Sequence, residues 1–105
     1  MQDYGAMIRS TFEMGSVVDA QTLFEVCIRN AFPTNNFRRL ELIRFTRDPQ
    51  YLEGRSWNHV FEIRLTTVSG HPVWDVQCRR VSTGQAPQKQ VYLDYLTLGF
   101  VQYQE

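Results

Sequence analysis

Two stretches of strict alternation between apolar and polar residues predict a long β-hairpin in the second half of the chain. The apolar positions are Phe61, Ile63 and Leu65 before the turn, and Trp74, Val76 and Cys78 after it. A period of two residues is typical of strands with one buried and one solvated face. If Ser69–Gly70 forms a two-residue turn, Leu65 faces Trp74 on the apolar side and Arg64 faces Asp75 on the polar side.

A different repeat, with apolar residues three and four positions apart, predicts one amphipathic helix. Its apolar positions are Ala20, Leu23, Phe24, Cys27, Ile28 and Ala31. Ser16 and Asp19 form a capping pattern just before this stripe. Pro33 ends the helix, because the residue before a proline is pushed out of the helical region.

The remaining chain divides into expected strands and loops. Alternation predicts strands over residues 4–14, 38–47 and 91–103, the second with a bulge near Leu42 that reconciles its two apolar faces. Residues 48–56 and 82–90 are rich in turn-forming side chains and are predicted loops.

The expected fold is therefore a single α+β domain over residues 1–105, with the element order β-α-β-β-β-β. One helix in the N-terminal half packs on a curled antiparallel sheet of four to five strands, since the sheet is its only available partner. This order and size resemble the cystatin-like arrangement. The family's Gln-x-Val-x-Gly inhibitor motif has no counterpart in residues 51–55. The resemblance therefore implies the architecture and not protease inhibition.

Composition narrows the functional classes. The chain has 105 residues, of which 43% are hydrophobic, which argues for a packed core. The 11 basic and 11 acidic residues give no net charge that would attract nucleic acid or anionic membrane over long range. No apolar run approaches the ~20 residues of a membrane span, and no signal peptide is recognisable, so a cytoplasmic protein is expected. The cysteine and histidine spacing predicts neither a metal site nor a cofactor.

The leading functional hypothesis rests on the last predicted strand, which is apolar on both faces. A single helix covers only one face of a sheet, so the second face calls for another cover. We therefore expect a non-enzymatic interaction module that forms a homodimer or joins a protein partner. The expected contact residues are Tyr92, Tyr95, Phe100 and Tyr103.

Two other hypotheses belong to different classes. The first is a small-molecule binder or small enzyme with a pocket between helix and sheet, in which His59 is a general base oriented by Asp94 or Glu41. Its lining would be His59, Trp57, Phe24 and Tyr95. The second is binding of single-stranded RNA on the sheet through basic and aromatic side chains. The basic residues would be Arg38, Arg39, Arg44, Arg79 and Lys89.

Overall fold

In residues 3–81 and 89–102, the part of the chain described by a computed structural model, two helices precede six strands. The helices are α1 (Gly5–Phe12) and α2 (Val17–Ala31), and the strands are β1 (Glu41–Thr46), β2 (Tyr51–Ser56), β3 (His59–Val68), β4 (His71–Arg80), β5 (Lys89–Asp94) and β6 (Phe100–Val101). Each strand pairs antiparallel with the next in the order β1-β2-β3-β4-β5-β6. The core lies between one sheet face and the helices, which confirms the α+β class.

The predicted hairpin and its register are confirmed. Leu65 lies opposite Trp74, Arg64 opposite Asp75 and Thr67 opposite Pro72. Ser69 and Gly70 both have positive φ, at 52° and 79°. Two such residues in succession are typical of the two-residue turns that match the twist of a hairpin.

Helix α2 follows the predicted pattern from end to end. The Ser16 hydroxyl accepts a hydrogen bond from the Asp19 amide at 3.2 Å, and the last helical residue is Ala31, two residues before Pro33. The predicted apolar stripe is buried along its whole length. The helix crosses the sheet from β1, where Gln21 bonds to Leu42, to the turn after β5, where Asn30 bonds to Leu98.

The strand predicted over residues 4–14 is wrong, because Gly5–Phe12 forms helix α1. Its buried residues Gly5, Ile8 and Phe12 are also spaced three to four apart, so this short segment fits both periods. Tertiary packing selects the helix: the Phe12 ring stacks on Trp74 with centroids 5.7 Å apart.

The loop predicted over residues 48–56 is also wrong from Tyr51 onward, where β2 pairs with both β1 and β3. Gly54 suggested a turn, but it lies within the strand, directly beneath the Phe24 ring. A glycine inside a strand often marks such a close approach of another group to the backbone. The predicted bulge is confirmed, because the β1–β2 register shifts between Leu42 and Arg44.

The single strand predicted over residues 91–103 is instead two strands separated by a turn in its described part, residues 91–102. The Asp94 carboxylate accepts hydrogen bonds from the Leu96 and Thr97 amides and from the Thr97 hydroxyl, at 3.1, 2.9 and 3.0 Å. Leu98 has a φ of 56° and is fully buried, as is Leu93. The chain therefore reverses, and much of the surplus apolar surface is covered within the molecule.

These corrections change the expected order. The expectation was one helix and four to five strands in the order β-α-β-β-β-β, whereas the described residues form two helices followed by six strands. The cystatin-like arrangement is matched only in that helices pack on an antiparallel sheet. Most of the loop predicted over residues 82–90 lies outside the described residues, which resume at Lys89 as the first residue of β5.

Candidate functional site

The first edge of the sheet, strand β1, is closed by a side chain of helix α2. The Gln21 amide nitrogen donates to the Leu40 carbonyl at 2.8 Å, and the Gln21 oxygen accepts from the Leu42 amide at 2.9 Å. The bulge after Leu42 distorts the same edge. Capped backbone groups and bulges both prevent another strand from pairing at an edge.

The opposite edge, strand β6, has no such cover within the described residues. Phe100 lies opposite Leu93, on the side of the sheet that faces the helices, and its side chain is 64% exposed. Val101 lies opposite Tyr92 on the other face. Leu96, in the turn before this strand, is exposed as well. Among the described residues, exposed apolar side chains and an uncovered strand edge therefore coincide at this place.

The four residues predicted to bind a partner are not equivalent in the structure. Phe100 lies on the open edge and Tyr92 is half-buried on the neighbouring strand. Tyr95 packs within the molecule, with its ring stacked 5.3 Å from Trp74 and its hydroxyl donating to Gln50 at 3.2 Å. Tyr103 lies outside the described residues.

The residues predicted to line a pocket between helix and sheet are not brought together. Phe24 is fully buried beneath α2, where its ring fills the space above Gly54. Tyr95 follows β5 at one end of the sheet, whereas Trp57 and His59 lie at the opposite end, in and after the β2–β3 turn.

His59 has an aromatic environment. Its ring meets Phe37 edge-on at 5.0 Å, and its pKa lies below the ordinary histidine value because of burial and the nearby positive charges of Arg80 and Lys89. Its proposed orienting partners are engaged elsewhere, since Glu41 pairs with Arg55 at 3.4 Å and Asp94 caps the turn after β5. A neutral imidazole packed on rings is the state this environment favours at pH 7.

The basic residues predicted to contact RNA fall into two places. Arg38 and Arg39 lie at the end of the sheet that contains the β2–β3 turn, and they line a groove of about 460 Å³ together with Trp57. Arg79 and Lys89 belong to the strand ends on the same side by register. Arg44 is separate, because it packs against the Tyr51 ring further along the sheet.

A cluster around Tyr51 on the helix-free face of the sheet was not predicted. The Tyr51 hydroxyl lies 3.0 Å from a Glu53 oxygen and 2.9 Å from a Glu62 oxygen. The same oxygens accept from Arg44 Nε at 2.8 Å and Arg64 Nη2 at 2.9 Å. Both guanidinium groups also lie over the Tyr51 ring, at 5.2 and 5.4 Å from its centroid. We refer to these five residues as the Tyr51 cluster.

The Tyr51 cluster compensates the repulsion between two negative charges. Glu53 and Glu62 face each other directly across β2 and β3, an arrangement that is destabilising by itself. The hydrogen bond from Arg44, followed by that from Tyr51, holds the pKa of Glu53 below its ordinary value despite partial burial. Burial and the two carboxylates raise the pKa of Tyr51, so its phenol stays protonated. With two positive and two negative groups, the cluster presents no net charge to a ligand.

No sequence motif indicates this cluster. Its members meet only through the β1–β2 and β2–β3 registers, and residues 51–53 were predicted to be in a loop. The cluster also changes one expectation: Arg64 forms its ion pair with Glu62 on its own strand, while Asp75 accepts from Gln77 and Gln90.

Replacing Tyr51 by phenylalanine should lower the free energy of unfolding by about 1–2 kcal/mol at pH 7, because two facing carboxylates lose a shared donor. A depressed carboxyl pKa stabilises the fold above the unfolded-state pKa, and this stabilisation is lost as the pH falls through the folded-state value. Without the hydroxyl, the pKa of Glu53 rises, so the variant loses this stabilisation at a higher pH. The deficit should be greatest near neutrality and shrink below about pH 4.

Urea denaturation at several pH values measures this deficit. Tyr95→Phe is the matched control, since it removes a phenol whose acceptor is the uncharged Gln50. A deficit of Tyr51→Phe that does not vary with pH would show that the hydroxyl is not coupled to the carboxylates.

Three further findings bear on function. Among the described residues, no group of three or more histidine, cysteine or acidic side chains is placed to hold a metal ion. No helix in that part of the chain is both long and apolar enough to span a membrane. Comparison with known proteins gives no match to a family model, a curated protein or a solved structure.

Proposed function

We propose that this protein is a non-enzymatic interaction module that self-associates through the open β6 edge. The proposal rests on a structural difference between the two edges of the sheet. Gln21 and a bulge close the β1 edge, whereas β6 ends the sheet beside an exposed Phe100 and Leu96. A strand edge without a cap or a bulge is a template for pairing with another chain. Because β6 is only two residues long, most of the proposed contact would come from the exposed side chains of Phe100 and Leu96.

A second copy of the chain is the occupant best suited to this edge. Two β6 strands related by a twofold axis would pair antiparallel and continue the meander across the dimer, and twofold symmetry is the commonest arrangement of soluble oligomers. The two Phe100 side chains would then lie on the same side of the joined sheet and cover each other. A strand of a different protein could add in the same way, which would make the chain a subunit of a larger assembly.

The cysteines agree with a cytoplasmic location for this module. Cys27 and Cys78 are both free and buried, and burial raises the pKa of both thiols. Two unpaired cysteines are typical of proteins from reducing compartments.

Sedimentation at tens of micromolar tests the proposal. The wild-type chain should be a dimer, and Phe100→Glu should be a folded monomer, because a carboxylate at the centre of this contact loses hydration without gaining a partner. Phe100 is preferable to Tyr95 as the site of the substitution, since Tyr95 contributes to packing around Trp74.

Ile43→Glu is the matched control, because Ile43 is an exposed apolar residue on the closed edge. This variant should remain a dimer. A monomeric wild-type chain would contradict self-association. A monomeric Ile43→Glu variant would show that the contact lies at the β1 edge and not at the β6 edge.

A further inference from the structure

The end of the sheet that contains the β2–β3 turn concentrates positive charge, although the chain as a whole is neutral. The three register rows nearest this turn contain four basic residues, Arg55, Arg79, Arg80 and Lys89, and one carboxylate, that of Glu41. Arg38 and Arg39 adjoin these rows, because the Arg38 carbonyl accepts a hydrogen bond from the Ser56 hydroxyl at 2.6 Å. We call this region the basic end.

Two of these arginines are free to meet an external anion. The carboxylate of Glu41 is already engaged by Arg55 at 3.4 Å. Within residues 3–81 and 89–102, no ion pair involves Arg38 or Arg39. Both side chains are exposed, and Arg39 has a φ of 55°, in the left-handed region. The pair therefore differs from Arg44 and Arg64, whose charges are neutralised inside the Tyr51 cluster.

An aromatic side chain completes the region. Trp57 lies in the tight β2–β3 turn and is 84% exposed, while the other tryptophan, Trp74, is fully buried. Burial of an indole is strongly favourable, so the exposure of Trp57 contributes little to the stability of the fold and points to a role in binding. Trp57, Arg38 and Arg39 line one groove of about 460 Å³, a volume within the range of small-ligand sites. The rest of its described lining is Ser56 and the paired Glu41 and Arg55, so the carboxylate in the groove is already neutralised.

We propose that the basic end binds single-stranded nucleic acid, with a base stacked on Trp57 and the adjoining phosphates held by Arg38 and Arg39. A single strand offers unstacked base faces to an aromatic ring and regularly spaced phosphates to arginine. A duplex hides its base faces and would use the arginines alone. This site lies at the far end of the sheet from the Tyr95–Gly99 turn and does not depend on self-association.

Fluorescence anisotropy with a labelled twelve-nucleotide single strand, prepared as RNA and as DNA, tests the proposal. Trp57→Ala should weaken binding about 10-fold through lost stacking and leave the salt dependence unchanged. Arg38→Gln/Arg39→Gln should weaken binding and reduce the slope of log affinity against log salt by about 1.4, that is, about 0.7 for each lost phosphate contact. The two variants thus separate stacking from phosphate contact.

Arg9→Gln/Arg29→Gln is the matched control, since it removes two exposed positive charges from the helices. Its net charge equals that of the Arg38→Gln/Arg39→Gln variant. It should bind the single strand like the wild-type chain, as should Phe100→Glu. Three results would overturn the proposal: no binding at low salt, an equal loss in the helix control, or Trp57-dependent binding to phosphatidylserine vesicles without binding to the oligonucleotide.

Discussion

Replacement of Trp74 by alanine should lower the free energy of unfolding by about 3–5 kcal/mol, the range for deleting a large aromatic side chain from a core. Trp74 is fully buried at the centre of β4, between Leu65 and Leu93 on the neighbouring strands. Its ring stacks on Phe12 from α1 and on Tyr95, and its indole nitrogen donates to the Tyr95 carbonyl at 3.1 Å. The deletion therefore opens a cavity and leaves a carbonyl without its donor.

The chain supplies a control with the same chemical change. Trp57→Ala removes an indole that is almost entirely in water, so the free energy of unfolding should change by no more than about 0.5 kcal/mol. Urea denaturation of the two variants compares them directly. A larger cost for Trp57→Ala than for Trp74→Ala would contradict the burial of Trp74 and the exposure of Trp57.

Gly54→Ala should cost about 3 kcal/mol, at the upper end of the range for overpacking a core. A methyl group at this position would lie 2.6 Å or less from three atoms of the Phe24 ring. That ring is fully buried and packs edge-on against Phe61 with centroids 5.9 Å apart, so it has little room to withdraw. Gly99→Ala is the control, because the one atom of the described residues within 4 Å of its added methyl is the Thr97 hydroxyl oxygen, at 3.4 Å.

A double-mutant cycle identifies the cause of the Gly54→Ala effect. Phe24→Leu shortens the ring side chain, so Gly54→Ala in that background should cost at least about 1 kcal/mol less than in the wild-type chain. Equal costs in both backgrounds would mean that the loss arises from the β2 backbone and not from the clash with Phe24. Thermal or chemical denaturation of the four proteins is sufficient.

The parts of the fold that local patterns could predict are those in which one pattern dominates. The β3–β4 hairpin combines strict alternation with a two-residue turn, and its register was predicted residue by residue. Helix α2 combines a cap at Ser16 with a continuous apolar stripe. In both elements, local chemistry and tertiary packing favour the same structure.

The two main errors, at Gly54 and in residues 91–103, have different causes. Gly54 resembles a turn residue, yet it lies in a strand because Phe24 needs its space. The apolar residues 91–103 resemble one strand, but the Asp94 carboxylate organises a turn that returns Leu98 to the core. Phe24 is distant in sequence from Gly54, so the first error has a tertiary cause. The second does not, because Asp94 bonds to Leu96 and Thr97, its neighbours in sequence, and this local turn signal was missed.

The candidate surfaces show the same division. Arg38, Arg39 and Phe100 could be selected from residue type alone, and the structure places them on exposed positions. Arg44 was grouped with the other arginines, although its position opposite Glu53 makes it a partner of Tyr51. The correct grouping depends on strand register, which residue type alone does not provide.

The Gln21 contact makes the protection of the β1 edge conditional on the docking of a helix. The Leu42 amide is held by a side chain of α2, so undocking of the helix removes its acceptor and opens that amide to hydrogen exchange. Any partly open state that releases α2 exposes both the apolar core face and an unguarded strand edge at the same moment. Such a state combines the two properties that promote intermolecular β-aggregation. Docking of α2 therefore protects the β1 edge from aggregation only as long as the helix stays in place.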